Sequence, residues 1–263
     1  MKSGIHNLIC GLCLCWLLLA GPVCADTTLR FYYFNPDAPQ HNLERLKRDM
    51  ETLLDKLGLA IEFQPFARLT DFNLGVHKDR PSFVFVPDWY LHSYGKALKL
   101  KPLLQAVRDR RQNYHKLLIS ARHSFEDLKE SDRILLAMTS LGPDSMGVLS
   151  RIFPDEEALN INKIRIVEVP KDADAIFAAA LNQVDVALVS QASLLHLQTI
   201  NPRLIDSLQI LGKSQPLDMP VLGCLEDSAS PEQQTIFRKF MMTTGSSQVM
   251  HALRIDGWSE HND

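Results

Sequence analysis

Apolar positions in this chain follow two periodicities that alternate from about residue 29 to the end. Leu29 to Phe34 is dense in aromatics and predicts a strand. Leu43, Leu46, Met50, Leu53, Leu54 and Leu57 then recur at steps of three and four, which predicts an amphipathic helix closed by Gly58. The alternation continues with a strand over Ala60 to Phe66, a short helix over Leu69 to His77, and the unbroken run Ser82-Phe83-Val84-Phe85-Val86. Such a run is expected where a strand is covered on both faces. After it, Pro87-Asp88 is expected to turn the chain into Trp89-Tyr90-Leu91.

The second half repeats the theme. Strands are expected at Leu103–Val107, His115–Ser120, Ile134–Met138, Ile164–Val169, Val184–Val189, Leu208–Leu211 and Val221–Leu225. Helices are expected after Ser124, from about Met146, and at Ala173–Leu181, Ala192–Gln198, Pro231–Met242 and Ser247–Leu253. Strands alternating with helices argue for an α/β protein with parallel sheets. No internal repeat, low-complexity segment or Pro/Gly/Ser-rich linker interrupts the pattern.

The first 25 residues break it. Lys2 precedes an apolar run from Leu8 to Ala20, Gly21-Pro22 ends that run, and Val23-Cys24-Ala25 supplies small residues at a cleavage position. This is the layout of a secretory signal, and the apolar run is short for a membrane span. The expectation is an exported, periplasmic protein cut after Ala25. Four of the five cysteines fall within that segment, so the remainder keeps Cys224 alone and forms no internal disulfide. Cys224 lies in an apolar run and is expected to be a buried strand residue.

Charge adds little. Of 28 lysines and arginines one, Lys2, is in the leader, so 27 basic residues face 31 acidic ones. That balance leaves no electrostatic footprint for nucleic acid or an anionic membrane surface. The nine histidines show no paired metal spacing, the CxxC at Cys10–Cys13 falls within the leader, and there is no HExxH, GxSxG, Walker loop or GxGxxG. Neither a metal, a cofactor nor a catalytic centre is expected. The run Arg108-Asp109-Arg110-Arg111 is expected to be a solvated connection.

Several stretches in this order resemble one family. They are Leu29-Arg30-Phe31-Tyr32-Tyr33-Phe34-Asn35-Pro36; Leu54-Asp55-Lys56-Leu57-Gly58; Pro81 to Tyr90; Lys116 to Ser120 with Ser124 to Lys129 after it; Pro143-Asp144-Ser145-Met146-Gly147; and Ala180 to Ala187. Together they resemble the type 2 periplasmic substrate-binding proteins, and within them the phosphate/phosphonate-binding branch of the ABC transporter solute-binding proteins. The resemblance implies two lobes of mixed parallel sheets flanked by helices, joined by a double chain crossover. It would divide the chain into 26–118 with 207–263, and 119–206, with the crossings near Ile119 and Asp206. It implies a monomeric, non-enzymatic protein that captures a small anion between the lobes and delivers it to a membrane permease or sensor domain. The sequence departs from the branch in carrying Ser145 alone where a run of Ser and Thr is usual.

Nine residues are candidates for ligand binding. Ser140 and Ser145, with the backbone N–H groups of Met146 and Gly147, can form an anion cradle at a helix start. Asp144 or Ser145 can equally be a plain helix cap. Asp185 is implied by the resemblance to face a cationic ligand group, or else it is a solvent-facing turn acid. Tyr33, Trp89 and Tyr90 stand at strand ends, where the crevice of an α/β sheet lies, or pack in the core. Asn35 shares the tip loop with Tyr33. Two other classes remain open: an enzyme with Asp185 or Asp144 as acid–base residue, and an adaptor that has lost its ligand.

Overall fold

The computed structural model describes residues 28–38, 42–153, 161–245 and 247–261; the expected leader lies outside them. Among these residues the strands are β1 (Leu29–Tyr33), β2 (Ile61–Pro65), β3 (Phe83–Val86), β4 (Leu100–Val107), β5 (Asn113–Tyr114), β6 (Lys116–Ser120), β7 (Ile134–Met138), β8 (Ile164–Glu168), β9 (Val186–Ser190), β10 (Gln209–Lys213), β11 (Leu217–Asp218), β12 (Val221–Leu225) and β13 (Gly257–Glu260). They form a six-stranded sheet, β13-β4-β12-β3-β1-β2, and a five-stranded sheet, β10-β6-β9-β7-β8. Both are mixed: β1 runs parallel to β2 and β3, and β7 parallel to β8 and β9, whereas β12 and β6 are antiparallel to their neighbours.

Each sheet is covered on both faces, as the unbroken apolar runs require. In the first, Phe31, Tyr33, Phe83 and Phe85 face the helices Leu43–Leu54 and Pro231–Met242, while Tyr32, Phe34, Val84 and Val86 face Leu69–Asp79 and Asp88–Leu98. In the second, Leu117, Ile119, Ala187 and Val189 meet Asp172–Ala180 and Gln191–Ile200, while Leu118, Leu136, Val186 and Leu188 meet Ser145–Ile152. Adjacent strand residues point to opposite faces, so one apolar run supplies two cores.

Sequence-level expectations need correction in three places. The turn at Pro87-Asp88 leads into a helix not expected from sequence, Asp88–Leu98, entered from Pro87. The chain crosses between sheets just before Lys116 on the way out and after Lys213 on return. Lys116–Ser120 and Gln209–Lys213 are both in the second sheet, so the crossings lie in the two-stranded ribbon β5–β11 and not at Ile119 and Asp206. Finally, Gly257–Glu260 adds an edge strand on β4 that carries too few apolar residues to be read as one.

The ribbon lies between the two lobes, where it pairs Tyr114 with Leu217 and Asn113 with Asp218. The parallel strands of both sheets end facing the gap it leaves. From the first lobe come the segments after β1 and β3, and from the second those after β7, β8 and β9. The crevice at the carboxyl ends of the strands is where α/β sheets bind ligands.

Candidate functional site

A charged cluster fills the centre of that crevice. Lys116 opens β6, and its side chain is 0% exposed. Its Nζ donates to Asp37 Oδ1 at 2.8 Å and to Thr139 Oγ1 at 3.0 Å, and stands 3.6 Å from Asp172 Oδ1. The Thr139 hydroxyl donates to Asp37 Oδ1 at 2.7 Å, and the Tyr114 hydroxyl to Asp37 Oδ2 at 2.6 Å. Asp37 comes from the loop after β1, in the first lobe. Lys116, Thr139 and Asp172 come from the second, and Tyr114 from the ribbon. Ser190 and Ser193, at the entry to the helix Gln191–Ile200, direct their hydroxyls to the Asp37 carbonyl at 3.5 and 3.2 Å. A lysine inside a buried strand is tolerated only when paired and hydrogen-bonded, and this one is both.

The electrostatics arise from burial and proximity. Burial by itself would raise the Asp37 carboxyl. The Lys116 charge and the hydrogen bonds from Lys116, Tyr114 and Thr139 outweigh that and hold it below the usual carboxylate range. Burial also works against the Lys116 ammonium, but Asp172 and Asp37 keep it charged and raise its pKa. Asp172 has the opposite balance. Burial pushes its carboxyl up to about 6; Lys116 opposes this and the Asp37 charge adds to it. Its Oδ2 accepts from the Ser190 N–H at 2.8 Å, while its buried Oδ1 accepts no hydrogen bond.

This balance makes stability depend on pH. With its folded pKa above the unfolded value of 3.8, Asp172 stabilises the fold below that value, and this contribution is lost as pH rises towards 6. A shift of about two units corresponds to about 3 kcal/mol. The stability of the wild type relative to Asp172→Asn is therefore expected to fall by that amount between about pH 3.5 and 6.5 and to stay level above it, as measured by urea unfolding at each pH.

Beside this cluster lies a cleft of about 460 Å³. Asp88, Trp89, His92 and Ser93 line it from the first lobe, Leu141, Asp144, Val148 and Arg151 from the second, and Tyr114 and Asp218 from the ribbon. Gly142 has φ +97, and a Cβ there would come within 3.0 Å of the Trp89 ring. A glycine lets the turn after β7 close against Trp89.

The structure sorts the residues expected from sequence into three places. Trp89 lines the cleft. Tyr33 and Tyr90 are buried in the two cores of the first sheet instead: Tyr33 stacks on Phe85, and Tyr90 packs on Phe72 with its hydroxyl donating to Asn73. Asn35 uses its side chain to accept from the Asp37 N–H, which shapes the loop that presents Asp37. Ser140 accepts from the Gly142 N–H and Ser145 donates to the Gly142 carbonyl, so both brace the turn after Thr139. Asp144 caps the helix through the Gly147 N–H, and a Cβ at Gly147 would lie 2.2 Å from the Asp144 carboxylate. That carboxylate stands at the dipole end where an anion was expected, and Met146 packs into the second lobe's core. Asp185 is remote from the crevice, because it precedes β9 whereas Ser190 ends it. It pairs with Arg122 at 3.0 Å and accepts from the Leu135 N–H at 2.8 Å. Sequence reasoning passed over Asp37, Tyr114, Lys116, Thr139, Asp172, Ser190 and Ser193. The one signal for them is Lys116, a lysine leading the apolar run Leu117-Leu118-Ile119 of β6.

Comparison with known proteins decides the family. The sequence model of "ABC transporter, phosphonate, periplasmic substrate-binding protein" matches residues 32–263. The chain belongs to this phosphonate-binding family. The family is one of periplasmic solute-binding proteins, and the mixed two-lobed fold is the one expected from sequence. Among solved structures, a binding protein component of an ABC phosphonate transporter from Pseudomonas aeruginosa is similar at TM-score 0.73 and 16% identity, covering 89% of this chain and 82% of that one. PhnD1 from Prochlorococcus marinus, solved with methylphosphonate, is similar at 0.68 and 9% identity over 90% and 94%. The periplasmic VFT2 domain of Bordetella pertussis BvgS is similar at 0.51 and 13% identity over 86% and 91%. At these identities the likeness is one of fold. No curated protein sequence matches. Among the described residues no helix of this phosphonate-binding family member is long and apolar enough to cross a membrane.

Proposed function

We propose that this protein, exported and cut after Ala25, captures a small oxyanion of the phosphate or phosphonate kind between its lobes and passes it to an ABC permease. One observation carries the reading. The donors of Lys116, Thr139 and Tyr114 converge on a single carboxylate at the carboxyl ends of the strands. Such a set of donors is chemically suited to an acid group and to nothing apolar. The ligand would enter through the cleft lined by Trp89 and Asp88, with closure of the lobes about the ribbon β5–β11. The match to a family of periplasmic substrate-binding proteins favours a binding protein over an enzyme.

A second reading, a ligand-less partner of a membrane sensor, is favoured by the same cluster, since the chain itself already supplies the carboxylate. A thermal-shift screen separates the two. Residues 26–263, unfolded and refolded to strip carried ligand, would be tested with phosphate, phosphite, alkylphosphonates, sulfate, amino acids and small dicarboxylates. A ligand at about 100 times its Kd adds about 2.7 kcal/mol, a readily measured shift. A hit abolished by Thr139→Val supports solute capture; no shift with any compound, in a folded protein, supports the ligand-less partner.

A further inference from the structure

Asp37 crosses from one lobe to be held by the other at both of its ends. Its carboxylate takes Lys116 and Thr139 on Oδ1 and Tyr114 on Oδ2, and its main-chain carbonyl takes the hydroxyls of Ser193 and Ser190. Two carbons, Cβ and Cα, separate the carboxylate carbon from the carbonyl carbon. The second lobe is therefore closed around a four-carbon unit with an oxygen acceptor at each end, the skeleton of a succinyl group.

We propose that Asp37 is a built-in substitute for the ligand, and that Tyr114, Lys116, Thr139, Ser190 and Ser193 select a small diacid whose two acid groups are separated by two carbons. Succinate and 3-phosphonopropionate fit this description, the second placing a phosphonate where the Asp37 carboxylate lies. The inference rests on the solute-capture reading and adds the ligand class and the residue that competes for the site.

Three features support it. Asp37 is carried by the loop after β1, whereas Lys116, Thr139 and Ser190 sit at strand ends of the other sheet and Ser193 in the first turn of the helix that follows. Separation of the lobes thus withdraws the carboxylate and leaves the donors in place. The emptied site also stays balanced, because Asp172 belongs to the second lobe, stands 3.6 Å from Lys116 Nζ, and has a buried Oδ1 with no hydrogen bond. Lys116 keeps a counter-ion there while the loop is out. Lastly, one acid group of the ligand returns to Lys116 the charge and hydrogen bonds withdrawn with the Asp37 carboxylate, while the second replaces the neutral Asp37 carbonyl and brings an added negative charge to the Ser190 and Ser193 hydroxyls. An uncharged solute would strip Lys116 of one carboxylate and return nothing.

Calorimetric titration of refolded 26–263 and of its Asp37→Ala variant with succinate, glutarate, 3-phosphonopropionate and methylphosphonate tests this. The two-carbon diacids are expected to bind the wild type about ten-fold more tightly than glutarate or methylphosphonate, and to gain at least a further ten-fold in Asp37→Ala. Should that variant not fold, the ranking in the wild type carries the test alone. Diacid binding no tighter in a folded Asp37→Ala, or no preference for the two-carbon spacing, overturns the inference. If methylphosphonate still binds the wild type in that case, solute capture stands without it. If no compound binds either folded protein, solute capture falls too.

Discussion

Lys116→Ala is expected to destabilise the protein by about 3–5 kcal/mol, because it leaves carboxylates facing one another around a buried space with no cation between them. The side chain is wholly buried and lies within 3.6 Å of both Asp37 and Asp172. The cause is the unpaired charge and not lost volume, so a control separates the two. Lys116→Met combined with Asp37→Asn and Asp172→Asn keeps the space filled and removes the charges, and it is expected to regain most of the loss. Urea unfolding of the three proteins at pH 7 measures this. A single variant within about 1 kcal/mol of the wild type would mean that the cluster is solvated and that its contacts do not hold the lobes together.

Phe237→Ala is expected to cost a similar amount, about 3–5 kcal/mol, for a different reason. Phe237 is 0% exposed, with its ring stacked 3.9 Å from Phe83 and set edge-on to Phe31 at 5.4 Å. It fastens the helix Pro231–Met242, formed late in the chain, to the first strand and to β3. Removing it opens a cavity beneath the sheet that presents Asp37. For a chain of this size the thermal midpoint should drop by about 10 °C. A drop of only a degree or two would place the closing helix outside the first lobe's core.

The contrast between these two positions shows what the sequence makes legible. Phe237 sits in a helix whose Ser230 cap, Pro231 start and apolar spacing are local signals, and Phe31 and Phe83 sit in short aromatic runs, bounded by turn residues, that read as strands. Such elements are dictated by neighbouring residues along the chain; their alternation gives the α/β class, and the two lobes are what the family resemblance implies. The site is different in kind. Asp37, Lys116 and Asp172 are 79 and 56 residues apart in turn and meet only because three strand ends converge. Asp37 lies in a Pro-flanked turn where an aspartate is routine, and Asp172 opens an alanine-rich helix where an acid suits the dipole.

The placement of Asp185 teaches the same lesson from the other side. The resemblance implies a ligand-facing acid and the local pattern a solvent-facing turn acid, and its position at the start of β9, not the end, decides which face of the lobe it serves. Arg122 holds it there. Tyr33 and Tyr90 likewise stand near strand ends, but the packing of the first sheet's two faces sets where each side chain goes. Both point into cores.

The central claim is that the donors around Lys116, and not the helix start at Ser145, hold the anionic group of a bound solute. Titration of methylphosphonate into refolded 26–263, its Thr139→Val variant and its Ser145→Ala variant tests it most directly. The account predicts binding to the wild type, at least a ten-fold loss in a folded Thr139→Val, and little change in Ser145→Ala. Binding that survives Thr139→Val and disappears in Ser145→Ala would contradict it.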